Sequence, residues 1–189
     1  MQILEIKQTQ WLEEAKNYLA SGKYCIFRTV IETPVTLVYR KSQVDVEVCK
    51  SLGYDIYEAY YNGGTLVANA GDLAFAHFYS VDNEWRERFV RYFINWLVGR
   101  GLNAEYDRND ILVDGYKVCA TCVTRYGRID YTTIFVGMST NLEHIKQICK
   151  KRMEKVPKGL SEYGITSEEV EQMFLDFCNQ DNPLIKEVK

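Results

Sequence analysis

Apolar side chains recur along this chain with two periods, and the change from one to the other marks out its elements. The clearest helical stretch runs over residues 82–97. Trp85, Phe89, Tyr92, Phe93, Trp96 and Leu97 return at spacings of three and four, and Arg86, Arg88 and Arg91 take the other positions. Asp82 can cap its start, and Gly99 or Gly101 ends it. Weaker helical patterns cover 4–20, with Leu4, Trp11, Ala15, Tyr18 and Leu19 to one side and Ser21-Gly22 as the stop, then 44–52 and 141–152. A last helix is predicted over 167–178, with Ser167 as cap and Glu168 and Glu169 in its first turn.

Between these lie β-branched and aromatic runs. Residues 24–30 and 35–39 are two strands separated by a segment holding Pro34, and 54–60 is a third, broken by Asn62-Gly63-Gly64. Residues 66–67 and 73–78 flank a second glycine turn. The strongest hairpin is 111–113, Asp114-Gly115, 116–124, because Asp-Gly tolerates the positive φ of a tight turn. A second hairpin turns near Tyr126-Gly127-Arg128 and returns over 131–136. Hairpins force antiparallel pairing, and most connections are too short for repeated βαβ crossovers. The expected class is α+β: a mixed, largely antiparallel sheet with packed helices.

The 189 residues fit one domain, expected over 1–180, with 181–189 as a polar tail. A composition 47% hydrophobic and 26% charged with three prolines excludes a disordered or collagen-like chain. A net charge of −3 without a concentrated Lys/Arg run argues against nucleic acid as the partner. No apolar run reaches membrane-spanning length, and charges interrupt the N-terminal stretch where a signal peptide needs an apolar core. A cytoplasmic or otherwise intracellular protein without membrane partners is expected. Six scattered cysteines, at 25, 49, 119, 122, 149 and 178, suit reduced, buried thiols.

Two places carry candidate chemistry. Asn62-Gly63-Gly64-Thr65, with Ala68-Asn69-Ala70-Gly71-Asp72 behind it, can bring backbone N–H groups close to a flat or anionic ligand. The spacing is neither a dinucleotide fingerprint nor a P-loop, and two hairpin turns would read the same way. The second place is Asn109-Asp110-Ile111 with Lys117. Strict alternation puts Lys117, Cys119, Thr121 and Val123 on one face and Val118, Ala120 and Cys122 on the other. A lysine on a rigid strand can clamp a carboxylate, a phosphate or a developing oxyanion, although a solvated surface lysine fits the same pattern. Cys119-Ala-Thr-Cys122 has a redox-pair gap, but its thiols point to opposite faces. Cys149 is a secondary nucleophile candidate, and His77 and His144 read as structural or surface residues. Tyr54, Tyr57, Tyr60 and Tyr61 either line an apolar pocket or pair across strands.

The segment Gly101-Leu-Asn-Ala-Glu-Tyr-Asp-Arg-Asn-Asp-Ile-Leu-Val-Asp-Gly-Tyr-Lys117-Val-Cys-Ala resembles the lipoate-protein ligase and octanoyltransferase family, a branch of the biotin/lipoate ligase superfamily. An Asn-Asp-Ile strand, a glycine turn and a lysine followed by small residues carry the likeness. Asn62-Gly63-Gly64-Thr65, Gly71-Asp72-Leu73 and Asn141-Leu142-Glu143 extend it over about 24–165. The resemblance implies a fold shared with biotin–protein ligases and a ligand lying between the glycine loop and the lysine strand. ATP and Mg2+ would activate lipoate as an adenylate, which the lysine of a lipoyl-acceptor protein domain then attacks. It also implies roles: Lys117 as the catalytic electrostatic residue; Tyr61, Asn62, Gly63, Gly64 and Thr65 as the substrate-binding set; and Asn109 and Asp110 ordering the site or holding nucleotide and metal. No metal-ligand set is assigned.

The chain departs from the family pattern at several points. Glu58-Ala59 stands where an Arg-Arg pair is usual, Asn62 replaces the first of three glycines, Ala68 replaces a histidine, Ala120 a glycine, and Tyr131-Thr132 a His-Gly-like pair. Loss of the arginines weakens adenylate binding unless Arg28 or Arg40 substitutes. An ATP-independent octanoyl or lipoyl transferase tolerates that loss but needs a cysteine, which the family places slightly beyond Cys149. A non-catalytic homologue binding an acyl group or a partner is the third reading. The chain is also shorter than typical ligases, with no expected room for their accessory C-terminal domain.

Overall fold

A computed structural model describes residues 3–21, 25–38, 40–58, 65–80, 84–126, 129–151 and 153–181, and all structural statements concern these. In chain order the elements are β1 (Ile3–Glu5), α1 (Trp11–Ser21), β2 (Cys25–Val30), β3 (Val35–Val38), α2 (Val46–Ser51), β4 (Asp55–Glu58), β5 (Leu66–Ala68), β6 (Leu73–Ser80), α3 (Trp85–Val98), β7 (Ala104–Asp107), β8 (Asp110–Val113), β9 (Tyr116–Tyr126), β10 (Ile129–Val136), α4 (Leu142–Ile148) and α5 (Ser167–Asp181). A seven-stranded sheet has the order β1-β2-β6-β10-β9-β8-β7, antiparallel except where β1 meets β2. A second sheet, β4-β3-β5, joins its parallel β3–β4 pair through α2. The expected α+β class with a mixed, largely antiparallel sheet is the one observed.

Two apolar layers flank the large sheet. On one face the aromatic stripe of α3 and the inner side of α5 pack together: Trp85, Phe89, Phe93 and Leu97 are buried, and Phe174 stacks on Phe75 with ring centroids 3.9 Å apart. Each such side chain contributes roughly 1.5–3 kcal/mol on burial. On the other face α1 and the small sheet cover Phe27, Ala74 and Phe78, with the Trp11 indole donating to the Tyr131 hydroxyl at 3.2 Å. α2 and α4 close the far side of the small sheet around Val38, Val44, Cys49 and Ile148. Among the described residues no helix is long and apolar enough to cross a membrane.

Several predicted boundaries move. The helix expected over 4–20 begins only at Trp11, because Leu4 pairs with Phe27 in β1 and Gln8 turns inward to bond the Glu32–Thr33 backbone. The helix expected over 141–152 stops at Ile148, where Cys149 turns extended to bridge Val44 and Asp45 N–H donates to the Ile148 carbonyl. β7 is unpredicted; its polar Ala-Glu-Tyr-Asp run becomes a strand only by pairing with β8. Thr166, not Ser167, caps α5: its hydroxyl accepts from Glu169 N–H while the Glu169 carboxylate accepts from Thr166 N–H. α5 reaches Asp181, and 182–189, Asp82 and the turn residues Gly127 and Arg128 lie outside the described residues.

Candidate functional site

The β8–β9 hairpin turns through Asp114 (φ 51°) and Gly115 (φ 80°), the pair of positive φ values that Asp-Gly supplies. Beyond the turn Leu112 faces Lys117, but Ile111 faces Cys119, so Val118 is an extra residue in β9. This β-bulge shifts the phase of every later side chain. Lys117 therefore shares its face with Ala120 and Cys122 and with Asp110 across the ladder. Cys119 and Thr121 lie on the other face, with Val136 and Ile134 over the α3–α5 core. The strict alternation expected from sequence fails here, because the bulge is a feature of the pairing with β8.

The bulge also frees main-chain groups of β9 for a new partner. Lys117 N–H donates to the Val156 carbonyl at 2.9 Å, and Lys158 N–H donates to the Lys117 carbonyl at 3.0 Å. Gly159 then crosses the 137–139 turn so closely that a Cβ would lie 2.5 Å from the Met138 carbonyl oxygen.

The lysine ends in a chain of charges. Lys117 Nζ lies 2.9 Å from Asp110 Oδ1, and Asp110 Oδ2 lies 2.9 Å from Lys155 Nζ. Lys155 also reaches Asp107 Oδ2 at 3.0 Å and donates to the Asp107 carbonyl at 2.7 Å. Burial opposes the Lys155 charge, but the two aspartates outweigh it and raise the ammonium above its usual range. This cluster borders a cleft of about 510 Å³ between the large sheet and β5. Leu66, Val67, Phe135 and Ile145 supply apolar wall, and Lys151, Lys158 and Arg108 add positive charge, Arg108 being paired with Glu154 at 3.1 Å. An anionic head with an apolar tail suits such a surface.

A polar network fixes the other end. Asp72, 5% exposed, accepts N–H bonds from Met138 (2.7 Å), Ser139 (3.1 Å) and Asn69 (2.7 Å), tying the β5–β6 turn to the residues after β10. Burial pushes its carboxyl up to about 6 in spite of those donors. The Tyr54 hydroxyl donates to Asn69 Oδ1 at 2.6 Å and stands 3.4 Å from His144 Nδ1.

The predicted site residues are placed unevenly. Tyr61, Asn62, Gly63 and Gly64 lie outside the described residues; Thr65, just after them, lines the cleft. Asn109 lines it as well, and its carbonyl accepts from Thr121 N–H at 2.6 Å. Asp110 commits both carboxylate oxygens to lysines, so it orders Lys117. Among the described residues no group of three or more metal-binding side chains occurs. Cys149 borders the cleft, half-buried, and burial raises its thiol pKa, which opposes thiolate formation. Arg28 is engaged by Glu171 of α5 on the opposite face of the sheet, and neither Arg40 nor the exposed Glu58 lines the cleft. His77 packs on Trp85 in the core with its pKa lowered to about 3 by burial, aided by Arg88. Lys155 was missed: only the lysine-rich run from 146 to 158 hinted at it, and no spacing ties it to Asp110.

No curated protein sequence matches the chain. Solved structures do. A Thermoplasma acidophilum protein assigned as a lipoate protein ligase, with lipoic acid bound, superposes with a TM-score of 0.77 at 16% identity, over 95% of this chain and 85% of that one. A bi-partite lipoate protein ligase of the same organism, studied with its E2 lipoyl domain, gives 0.77 at 17% over 95% and 82%. Lipoate-protein ligase A bound with ATP gives 0.76 at 17% over 95% and 83%. A biotin protein ligase from Aquifex aeolicus in complex with biotin gives 0.56 at 11% over 96% and 70%. These likenesses establish the fold. The family description "Lipoyl protein ligase A/B catalytic domain" matches residues 15–176, most of the chain, and the protein belongs to that family.

Proposed function

We propose that this chain attaches lipoate or a related acyl group to a lysine of an acceptor protein, using ATP. The observation that carries the reading is Lys117, held by Asp110 at the border of a cleft with apolar walls and a positive rim. A carboxylate oxygen of the acyl acid attacks the α-phosphorus of ATP and pyrophosphate leaves. The acceptor amine then attacks the acyl carbonyl carbon, AMP leaves, and the amine gives up a proton. Both steps build negative charge on oxygens next to one carbonyl, and a cation preorganised on a rigid strand stabilises each. Lys117 is that cation, Asp110 its positioning residue, and Thr65 and Asn109 flank the ligand. Tyr61, Asn62, Gly63 and Gly64 complete the substrate side. Magnesium, where used, would be held chiefly by the nucleotide's phosphates and not by Asp110, whose two oxygens are committed to lysines.

Support comes from family membership, and from relatives of the same fold that bind lipoic acid, bind ATP or work with an E2 lipoyl domain. Positive charge lost at Glu58-Ala59 is supplied instead from the 151–158 segment. An ATP-independent transferase needs an activated thiol, and the raised pKa of Cys149 does not favour it.

The test is the intact mass of an apo lipoyl domain after incubation with this protein, lipoate, ATP and magnesium, against a control without ATP. An ATP-dependent gain of one lipoyl group is expected, and Lys117→Ala lowers the rate by about 100-fold or more. Unchanged mass with folded protein and competent acceptor refutes ligation for that pair. Full activity in Lys117→Ala removes the catalytic assignment.

A further inference from the structure

In the reading above, Lys117 shares or gives up its Asp110 contact as it binds the ligand's oxygens. The Asp110 carboxylate is only 17% exposed, so that exchange would leave a poorly solvated negative charge beside an arriving anion. The structure holds a remedy. Asp110 Oδ2 is bound by Lys155, whose side chain is 15% exposed and whose three acceptors are Asp110 Oδ2, Asp107 Oδ2 and the Asp107 carbonyl. An ammonium has three N–H donors, so Lys155 is fully occupied and has none left for a ligand. Lys117 has one acceptor among the described residues and keeps donors to spare. One lysine is fixed and the other is movable.

We infer that Lys155 is a positioning residue: a resident counter-ion that keeps Asp110 neutralised while the Lys117 ammonium transfers to the ligand. The inference rests on the acyl-ligase reading and deepens it. It also explains why one carboxylate is shared between two cations. Without Lys155, Asp110 turns its whole charge on Lys117, which no longer shares that carboxylate with a repelling neighbour. Lys117 is then held harder, and leaving it strands an unpaired carboxylate.

The test compares the full chain with Lys155→Met, Lys155→Gln, Lys155→Arg and Asp110→Asn. The first readout is the rate at which acetic anhydride acetylates Lys117, followed by peptide mass spectrometry, which needs no enzymatic activity. Lys155→Met and Lys155→Gln slow Lys117 acetylation by about threefold to tenfold. Asp110→Asn speeds it, and Lys155→Arg, which keeps the charge, stays near the parent rate. A purely structural Lys155 would do the opposite, since a loosened fold exposes Lys117 along with other lysines. Unchanged or faster acetylation in both neutral variants overturns the inference. The second readout is lipoyl transfer, where the neutral variants raise the KM for ATP by about tenfold and Lys155→Arg restores it. If the parent protein transfers nothing, the ligase reading fails, while the acetylation series still reports on the lysine pair.

Discussion

A methyl group added at Gly159 probes how tightly the lysine strand is clamped. Gly159 has φ −76° and ψ 145°, a conformation alanine adopts without strain. With space around it, Gly159→Ala would stabilise the fold by about 0.4–1 kcal/mol through the unfolded chain alone. Here the new Cβ would meet the Met138 carbonyl oxygen at 2.5 Å, its carbon at 2.8 Å and Ser139 Cα at 2.8 Å. The first contact is about 0.9 Å inside the 3.4 Å limit of ordinary contact, and every partner is backbone that cannot rotate away. Overpacking of this kind costs about 1–3 kcal/mol. For a chain of this size a net loss of about 2 kcal/mol lowers Tm by about 4–8 °C. Because residues 156 and 158 hold the Lys117 backbone, the displaced segment also takes Lys117 out of position. Thermal and urea unfolding measure the first effect, and the kcat for lipoyl transfer the second. A Tm equal to or above the parent's refutes the close-approach argument outright.

Three further outcomes are expected. His77 is neutral in the core, with a pKa of about 3 against 6.5 when unfolded, so its contribution is complete above 6.5 and is lost as pH falls. Between pH 7 and pH 5 that loss is about 2 kcal/mol; His77→Leu removes it, and equal urea-unfolding slopes with pH in both proteins would contradict the assignment. Asp72 has the opposite sign: its raised carboxyl favours the folded state at low pH and that advantage fades as pH rises through about 6, so it offsets the His77 loss, and Asp72→Asn makes the unfolding free energy fall more steeply with acid than in the parent. Cys149→Ser keeps ATP-dependent transfer within about twofold, because the proposed ligation makes no use of the thiol; loss of transfer would revive the thiol-based reading.

Some of the site could be read from local pattern. The Asp114-Gly115 turn and the flanking apolar runs are a short-range signal that folds Asp110 and Ile111 back toward the Lys117 strand; the ion pair between Asp110 and Lys117 is seen only in the structure. The α3 stripe is equally local. What escaped was decided by distant partners. The Val118 bulge exists because β9 must pair with β8 while the 156–158 segment pairs with Lys117. β1 and β7 are short and unremarkable in composition, and each is a strand only by virtue of its neighbour. α4 loses its last predicted turn to a bridge with Val44. Lys155 reaches Asp110 across 45 residues of chain, beyond any helical or strand spacing.

The clamp on Lys117 has a temporal consequence. The β8–β9 hairpin is closed by neighbours in sequence, so it can form as soon as those residues are available. The placement of Lys117 is not set by that event. Lys117 receives two main-chain bonds from residues 156 and 158, and Gly159, next in the chain, packs against the Met138 backbone. During synthesis the lysine strand therefore exists about forty residues before the lysine is locked in place. Partly made chains that end before residue 156 carry the hairpin without the two main-chain bonds that hold Lys117.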